Sequence, residues 1–127
     1  MPREEHAIEH ETAFFKSFII PERRARYLTK LSSRKSRRSF LDRLNHQFHK
    51  DLDDRFVVHG TRPWPNDDHR CYILADETQY DGTLVTASEA ADAVSSASFG
   101  IVVSFIPGKL ACYKDESPSD IVWLQHQ

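Results

Sequence analysis

Residues 101–113 read IVVSFIPGKLACY, and the fold turns on them. Ile101–Ile106 is an apolar run rich in β-branched and aromatic side chains, which suit a pleated, buried surface. Pro107-Gly108 interrupts it, and Lys109–Tyr113 takes the apolar pattern up again. The stretch therefore predicts two antiparallel strands joined by a tight turn. Upstream, residues 86–89 read TASE, a capping box in which Thr86 and Glu89 satisfy each other's backbone N–H groups. Ala87, Ala90, Ala91, Val94 and Ala97 follow as a small-residue stripe that lets a helix lie close to a sheet. Gly100 suits the end of that helix or the turn beyond it.

Further upstream, CYILA at residues 71–75 predicts a buried strand. DETQYDG at 76–82 predicts a turn, with Asp81-Gly82 as its strongest signal, and TLVT at 83–86 a brief edge strand. Downstream, DIVWL at 120–124 predicts one more strand. If Cys71–Ala75 and Ile101–Ile106 are neighbours, the helix between them is a crossover, right-handed by the usual rule.

The front of the chain has helical period. A first helix is predicted over Glu4–Phe18, with Ile8, Phe15, Phe18 and Ile19 on its inner face and Glu4, Glu5 and Glu9 near its positive end. Pro21 opens a second helix running to about Leu31, with Tyr27, Leu28 and Leu31 inward. SSRKS at 32–36 predicts a cap or short turn. A third helix is predicted from the stripe Phe40, Leu41, Leu44, Phe48 and Leu52, starting at Ser39 or nearer Ser33. RFVVHG at 55–60 then reads as extended, and GTRPWPNDDHR at 60–70 as a loop. The expected fold is α+β in one domain over 1–127. Its helical front (about 4–55) packs on one face of a small mixed sheet of three to five strands (about 70–125) with one crossover helix.

Bulk properties narrow the function classes. The 127 residues are 39% hydrophobic, with eight Phe and two Trp, unlike a disordered chain. The net charge is only −2, but it is unevenly placed. Residues 1–70 carry 15 basic against 11 acidic side chains, and residues 71–127 carry two against eight. A polar start and short apolar runs predict a cytoplasmic protein without a membrane segment. Cys71 and Cys112 sit in apolar runs and are expected as reduced, buried thiols.

The basic side chains concentrate in residues 23–44, RRARYLTKLSSRKSRRSFLDRL, with nine Lys or Arg and one acid, Asp42. Nucleic acid is gripped mainly by neutralising phosphates. Arg23, Arg24, Lys30, Arg34, Lys35, Arg37 and Arg38 are the expected nucleic-acid contacts, with Arg26 and the hydroxyls of Ser32, Ser33, Ser36 and Ser39 alongside. The two helices around LSSRKS match a helix-turn-helix in outline only. Two other readings compete. The run is the wet face of helices whose arginines pair with Glu4, Glu9, Glu11 and Glu22, or it meets an acidic protein surface, including the acidic half of a second copy in a homo-oligomer.

Other constellations are weaker. His46, His49 and Asp53 would share the outer face of the third helix, but at i, i+3 and i+7 rather than the i, i+4 spacing of helical metal pairs. In the acidic turn of Asp76, Glu77 and Asp81, Asp76 with Glu77 or Glu89 beside it would suit a metal-dependent hydrolase, although Asp-Gly is also an ordinary turn. Neither cysteine has a context that lowers a thiol pKa, and Ser104 and Ser117 lack a nucleophile-elbow setting. No phosphate-cradling glycine loop occurs and no cofactor is expected. Trp64 between Pro63 and Pro65 is either a stacking platform or a plug between the helical front and the sheet. The sequence thus favours a small cytosolic, non-enzymatic binding protein. A protein-interaction module, or a hydrolase centred on Asp76, are the alternatives.

Overall fold

The computed structural model describes residues 5–46, 48–59, 62–68, 70–116 and 121–126. Expectations at Glu4, Gly60, Ser117 and Asp120 lie outside these residues. The 101–113 stretch forms the predicted hairpin, with β4 (Ile101–Ile106) and β5 (Leu110–Lys114) paired through Val103 opposite Cys112. Gly108 turns the chain at φ 71°, where a side chain would be strained, and the Lys109 N–H donates to the Ile106 carbonyl at 2.9 Å. Four further strands complete the sheet: β1 (Val57–Val58), β2 (Cys71–Ala75), β3 (Leu84–Val85) and β6 (Val122–Gln125). Their order is β1-β6-β5-β4-β2-β3.

The α+β plan with N-terminal helices holds. Six strands exceed the expected three to five by one, because the extended stretch at 57–58 pairs with β6 as β1, which like β3 is a two-residue edge. Such short edges leave little open ladder for another chain. Every pairing in the sheet is antiparallel, where a mixed sheet was expected. The right-handed crossover rule therefore does not apply: β2 and β4 are neighbours but run in opposite directions.

Both faces of the sheet are covered. Tyr72, Leu74, Val102, Ala111, Tyr113 and Leu124 face the N-terminal helices, while Ile73, Ala75, Ile101, Val103, Cys112 and Trp123 face the other way. That other face is closed by α4 (Ala87–Ser96), not left open as one-sided packing would have it. Strands this apolar on alternate and intervening positions need two covers. The Thr86–Glu89 capping box is formed, each bond at 3.1 Å, and Ala87, Ala90, Ala93 and Val94 are buried against the sheet. Trp64 joins this layer. Its ring packs on Phe105 and Trp123 at 5.2 and 5.5 Å, and its Nε1–H donates to the Ala87 carbonyl at 2.7 Å. It seals the loop against α4 and the sheet, away from the helical front.

The front consists of α1 (Glu5–Phe18), α2 (Arg24–Leu31) and α3 (Arg34–Leu41) around an aromatic core. Phe15 contacts Tyr27, Phe40 and Phe48 edge-on, and Phe48 meets Tyr113 of β5 at 5.2 Å. Each such buried ring stabilises by roughly 1.5–3 kcal/mol. Ile8 does not belong to this core and is 43% exposed. The inner face of α1 is Ala7, His10, Glu11, Phe14, Phe15 and Phe18, in which two polar side chains are buried with partners.

The third helix departs most from expectation. It ends at Leu41 and continues as single 3-10 turns over Asp42–Asn45 and Phe48–Asp51. Its cap is Ser33, the earlier of the two expected starts. The helix stops because Leu44 and Asn45 are tied to other parts of the chain. The Tyr113 hydroxyl donates to the Leu44 carbonyl, the Asn45 carbonyl accepts from Glu116 N–H at 3.1 Å, and the Asn45 amide joins Gly100 N–H and Asp76 at 2.6 and 2.7 Å. His46 is consequently extended, at φ −156° and ψ 154°. Gly100 is required at this crossing, since a Cβ there would overlap the Leu44 carbonyl.

Candidate nucleic-acid interface

The basic run forms α2, a tight turn and α3. The turn is fixed by serines: Ser33 caps α3 by accepting from Ser36 N–H at 3.3 Å, and the Ser36 hydroxyl donates to the Lys30 carbonyl at 2.5 Å. These hydroxyls thus build the turn.

The seven expected contacts divide into two sets. Arg37 is turned inward and 13% exposed. It donates to Glu11 at 2.7 Å, to Tyr72 Oη at 3.0 Å, and through Nε and Nη2 to both Asp81 oxygens at 3.0 Å. Burial alone would lower its pKa, but Asp81, Tyr72 and Glu11 together raise it above the ordinary arginine value. Asp81 also accepts the Ala75 N–H at 3.2 Å, so one guanidinium joins α1, α3, β2 and the turn after it. Arg23 reaches the fully buried Asp51 at 2.6 Å, and Arg43 holds the same carboxylate from the other side at 2.5 and 3.1 Å. Arg24 donates to the Ile19 carbonyl at 2.7 Å and lies 3.8 Å from Asp53. Of the pairings expected from the sequence, Arg37–Glu11 is formed. The other acceptors, Asp51, Asp53 and Asp81, come from distant segments that local spacing does not reveal.

Lys30, Arg34, Lys35 and Arg38 make up the second set and carry no ion pair among the described residues; Arg26 behaves likewise. Arg34, Lys35 and Arg38 are exposed and Lys30 is half-buried. Two concavities flank α3. One, of about 520 Å³, is lined by Lys30, Lys35, Ser39, Arg43 and His46, with Asp42 as its acid. The other, of about 530 Å³, sets Arg34 and Arg38 opposite Asp76 and Glu77. Arg43 and His46 line the first groove although neither is among the seven contacts expected from the sequence. The signal for Arg43 is its place inside the basic run, and that for His46 is its helical spacing from Lys35, Ser39 and Asp42, which line the same groove.

The remaining constellations come apart. His46 and His49 are exposed while Asp53 is buried under Arg55 and Arg24, so the three share no face. Asp76 accepts from Asn45, and Glu89 is committed to the Thr86 cap. Among the described residues no group of three or more His, Cys, Asp or Glu side chains is assembled to hold a metal ion. Cys71 and Cys112 are free and buried, as expected; burial pushes the Cys71 thiol up to about 11 and Cys112 higher still. No described helix is long and apolar enough to cross a membrane. No protein-family model, curated protein or solved structure matches this chain.

Proposed function

We propose that this chain is a non-enzymatic binding protein that contacts nucleic acid through the outer surface of α2 and α3, reading phosphate and not base sequence. One observation carries the reading. After Arg23, Arg24, Arg37 and Arg43 are paired inside the fold, Lys30, Arg34, Lys35 and Arg38 still stand on α2 and α3 with no ion pair among the described residues. Unpaired cations on one short helix and its neighbour release counterions when they meet a phosphate chain. Ser39 in the same groove supplies a hydroxyl for register.

The test is a charge reversal confined to the second set. Arg34→Glu, Lys35→Glu and Arg38→Glu together should weaken binding of labelled single- and double-stranded nucleic acid. They should also flatten the salt dependence by about three in log–log slope, since each phosphate contact contributes about 0.9. Arg37 is left intact so that the fold is preserved, which circular dichroism verifies. A wild-type protein that binds neither strand type at low salt would contradict the proposal. Mass rising with protein concentration in that same sample would instead favour a self-associating module built on the uneven charge of the two halves.

A further inference from the structure

We propose that His6 and His10 form a chelate for a divalent transition-metal ion where the N-terminal end of α1 meets the β4–β5 turn. The residues read His6-Ala7-Ile8-Glu9-His10, which places two imidazoles one turn apart on one helix face. Both line a concavity of about 660 Å³, with the carboxylates of Glu9 and Asp68 and the guanidinium of Arg70 at its polar side and Phe105 and Ile106 as an apolar wall. Helical spacing alone would leave these as two surface histidines, and His6 is indeed exposed.

His10 differs. It is 6% exposed, stacks on Tyr72 at 6.2 Å, and its Nδ1 lies 2.8 Å from the hydroxyl of Ser104, itself buried in β4. One ring nitrogen is therefore fixed, and Nε2 has no hydrogen bond among the described residues. A buried imidazole held through one nitrogen with the other left over is the outer-shell arrangement that orients a metal-bound histidine. In the tautomer whose Nδ1–H donates to Ser104, Nε2 carries the lone pair that a metal needs. His6 can swing to meet it, and Glu9 lies 3.9 Å from His6 Nδ1. With no preassembled group of three among the described residues, the two imidazoles are the protein ligands, and water fills the remaining positions. Imidazole donors favour Zn²⁺, Ni²⁺ or Cu²⁺ over Mg²⁺ and Ca²⁺.

Isothermal titration of the untagged, chelator-treated full chain with ZnCl₂ tests this, with CaCl₂ as the contrast. One equivalent of Zn²⁺ should bind and raise Tm, while Ca²⁺ does neither. His6→Ala should fold normally because the side chain is exposed, and should weaken Zn²⁺ binding at least tenfold. Ser104→Ala, which touches no metal, should weaken it about tenfold by freeing the His10 ring. No Zn²⁺ binding by the wild type would overturn the proposal. So would undiminished binding by His6→Ala, which would put the ion on other histidines.

Discussion

Arg37 shows how misleading a single residue is when it is read only by its neighbours in sequence. It sits in the densest part of the basic run, yet it makes four hydrogen bonds inside the fold, to Glu11, Tyr72 and both Asp81 oxygens. Removing it would take a 2.7 Å ion pair from the Glu11 carboxylate, which is 4% exposed. Arg37→Ala should therefore destabilise the fold by about 3–5 kcal/mol in urea titrations. Arg38→Ala, on the same helix but exposed, should stay within about 0.5 kcal/mol. His10 makes a second prediction at this scale. Burial holds its folded pKa below the unfolded value of 6.5; Glu9 opposes the shift and His6 assists it. The unfolded chain then binds more protons just below pH 6.5, so this contribution is complete above that pH and is lost as pH falls through the folded pKa. The Tm of the wild type should drop between pH 7.5 and 5.5 by more than that of His10→Gln, compared in matched buffers.

At the scale of elements, strand and cap signals were legible and the long third helix was not. The hairpin at 101–113, the edge strand at 84–85, the strand at 122–125 and the Thr86 capping box all follow from local chemistry: branched apolar runs, Pro-Gly, and a Thr–Glu pair three apart. The stripe Phe40, Leu41, Leu44, Phe48 and Leu52 is equally periodic, and all five side chains are buried. They are buried by a broken path, because Leu44 and Asn45 give their carbonyls to Tyr113 and Glu116. Hydrophobic period reports which residues go inside, not whether the backbone between them keeps its helical hydrogen bonds. The same limit hid the site. The basic run was visible, but its division was not, because Asp51, Asp53 and Asp81 reach it only through the tertiary fold. Two substitutions test these element-level contacts. Gly100→Ala should cost about 1–3 kcal/mol or more by forcing β4 away from Leu44. Ser33→Ala should cost about 1 kcal/mol by uncapping α3. Chemical denaturation of each variant gives both numbers.

For the whole molecule, the uneven charge of the two halves acquires a structural meaning. Part of the N-terminal excess of arginine is used within the chain, in pairs that tie helices to the sheet and to the turn at Asp81. Arg26, Arg34 and Arg38 are presented outward on α2 and α3. The two uses respond differently to salt. The buried pairs are screened little, whereas contacts with a phosphate chain weaken steeply over the same range. Stability and binding should consequently separate: raising salt from 50 to 200 mM should leave Tm nearly constant while nucleic-acid affinity falls. The measurement that tests this division most directly is fluorescence anisotropy of labelled nucleic acid across that salt range, for the wild type, the Arg34/Lys35/Arg38 charge reversal and Arg26→Ala. The wild type should bind in a salt-sensitive manner, the charge reversal should lose binding with its fold intact, and Arg26→Ala should bind slightly less tightly. Equal binding by the wild type and the charge reversal, or no binding by either at 50 mM salt, would contradict that division and leave α2 and α3 as a solvated surface.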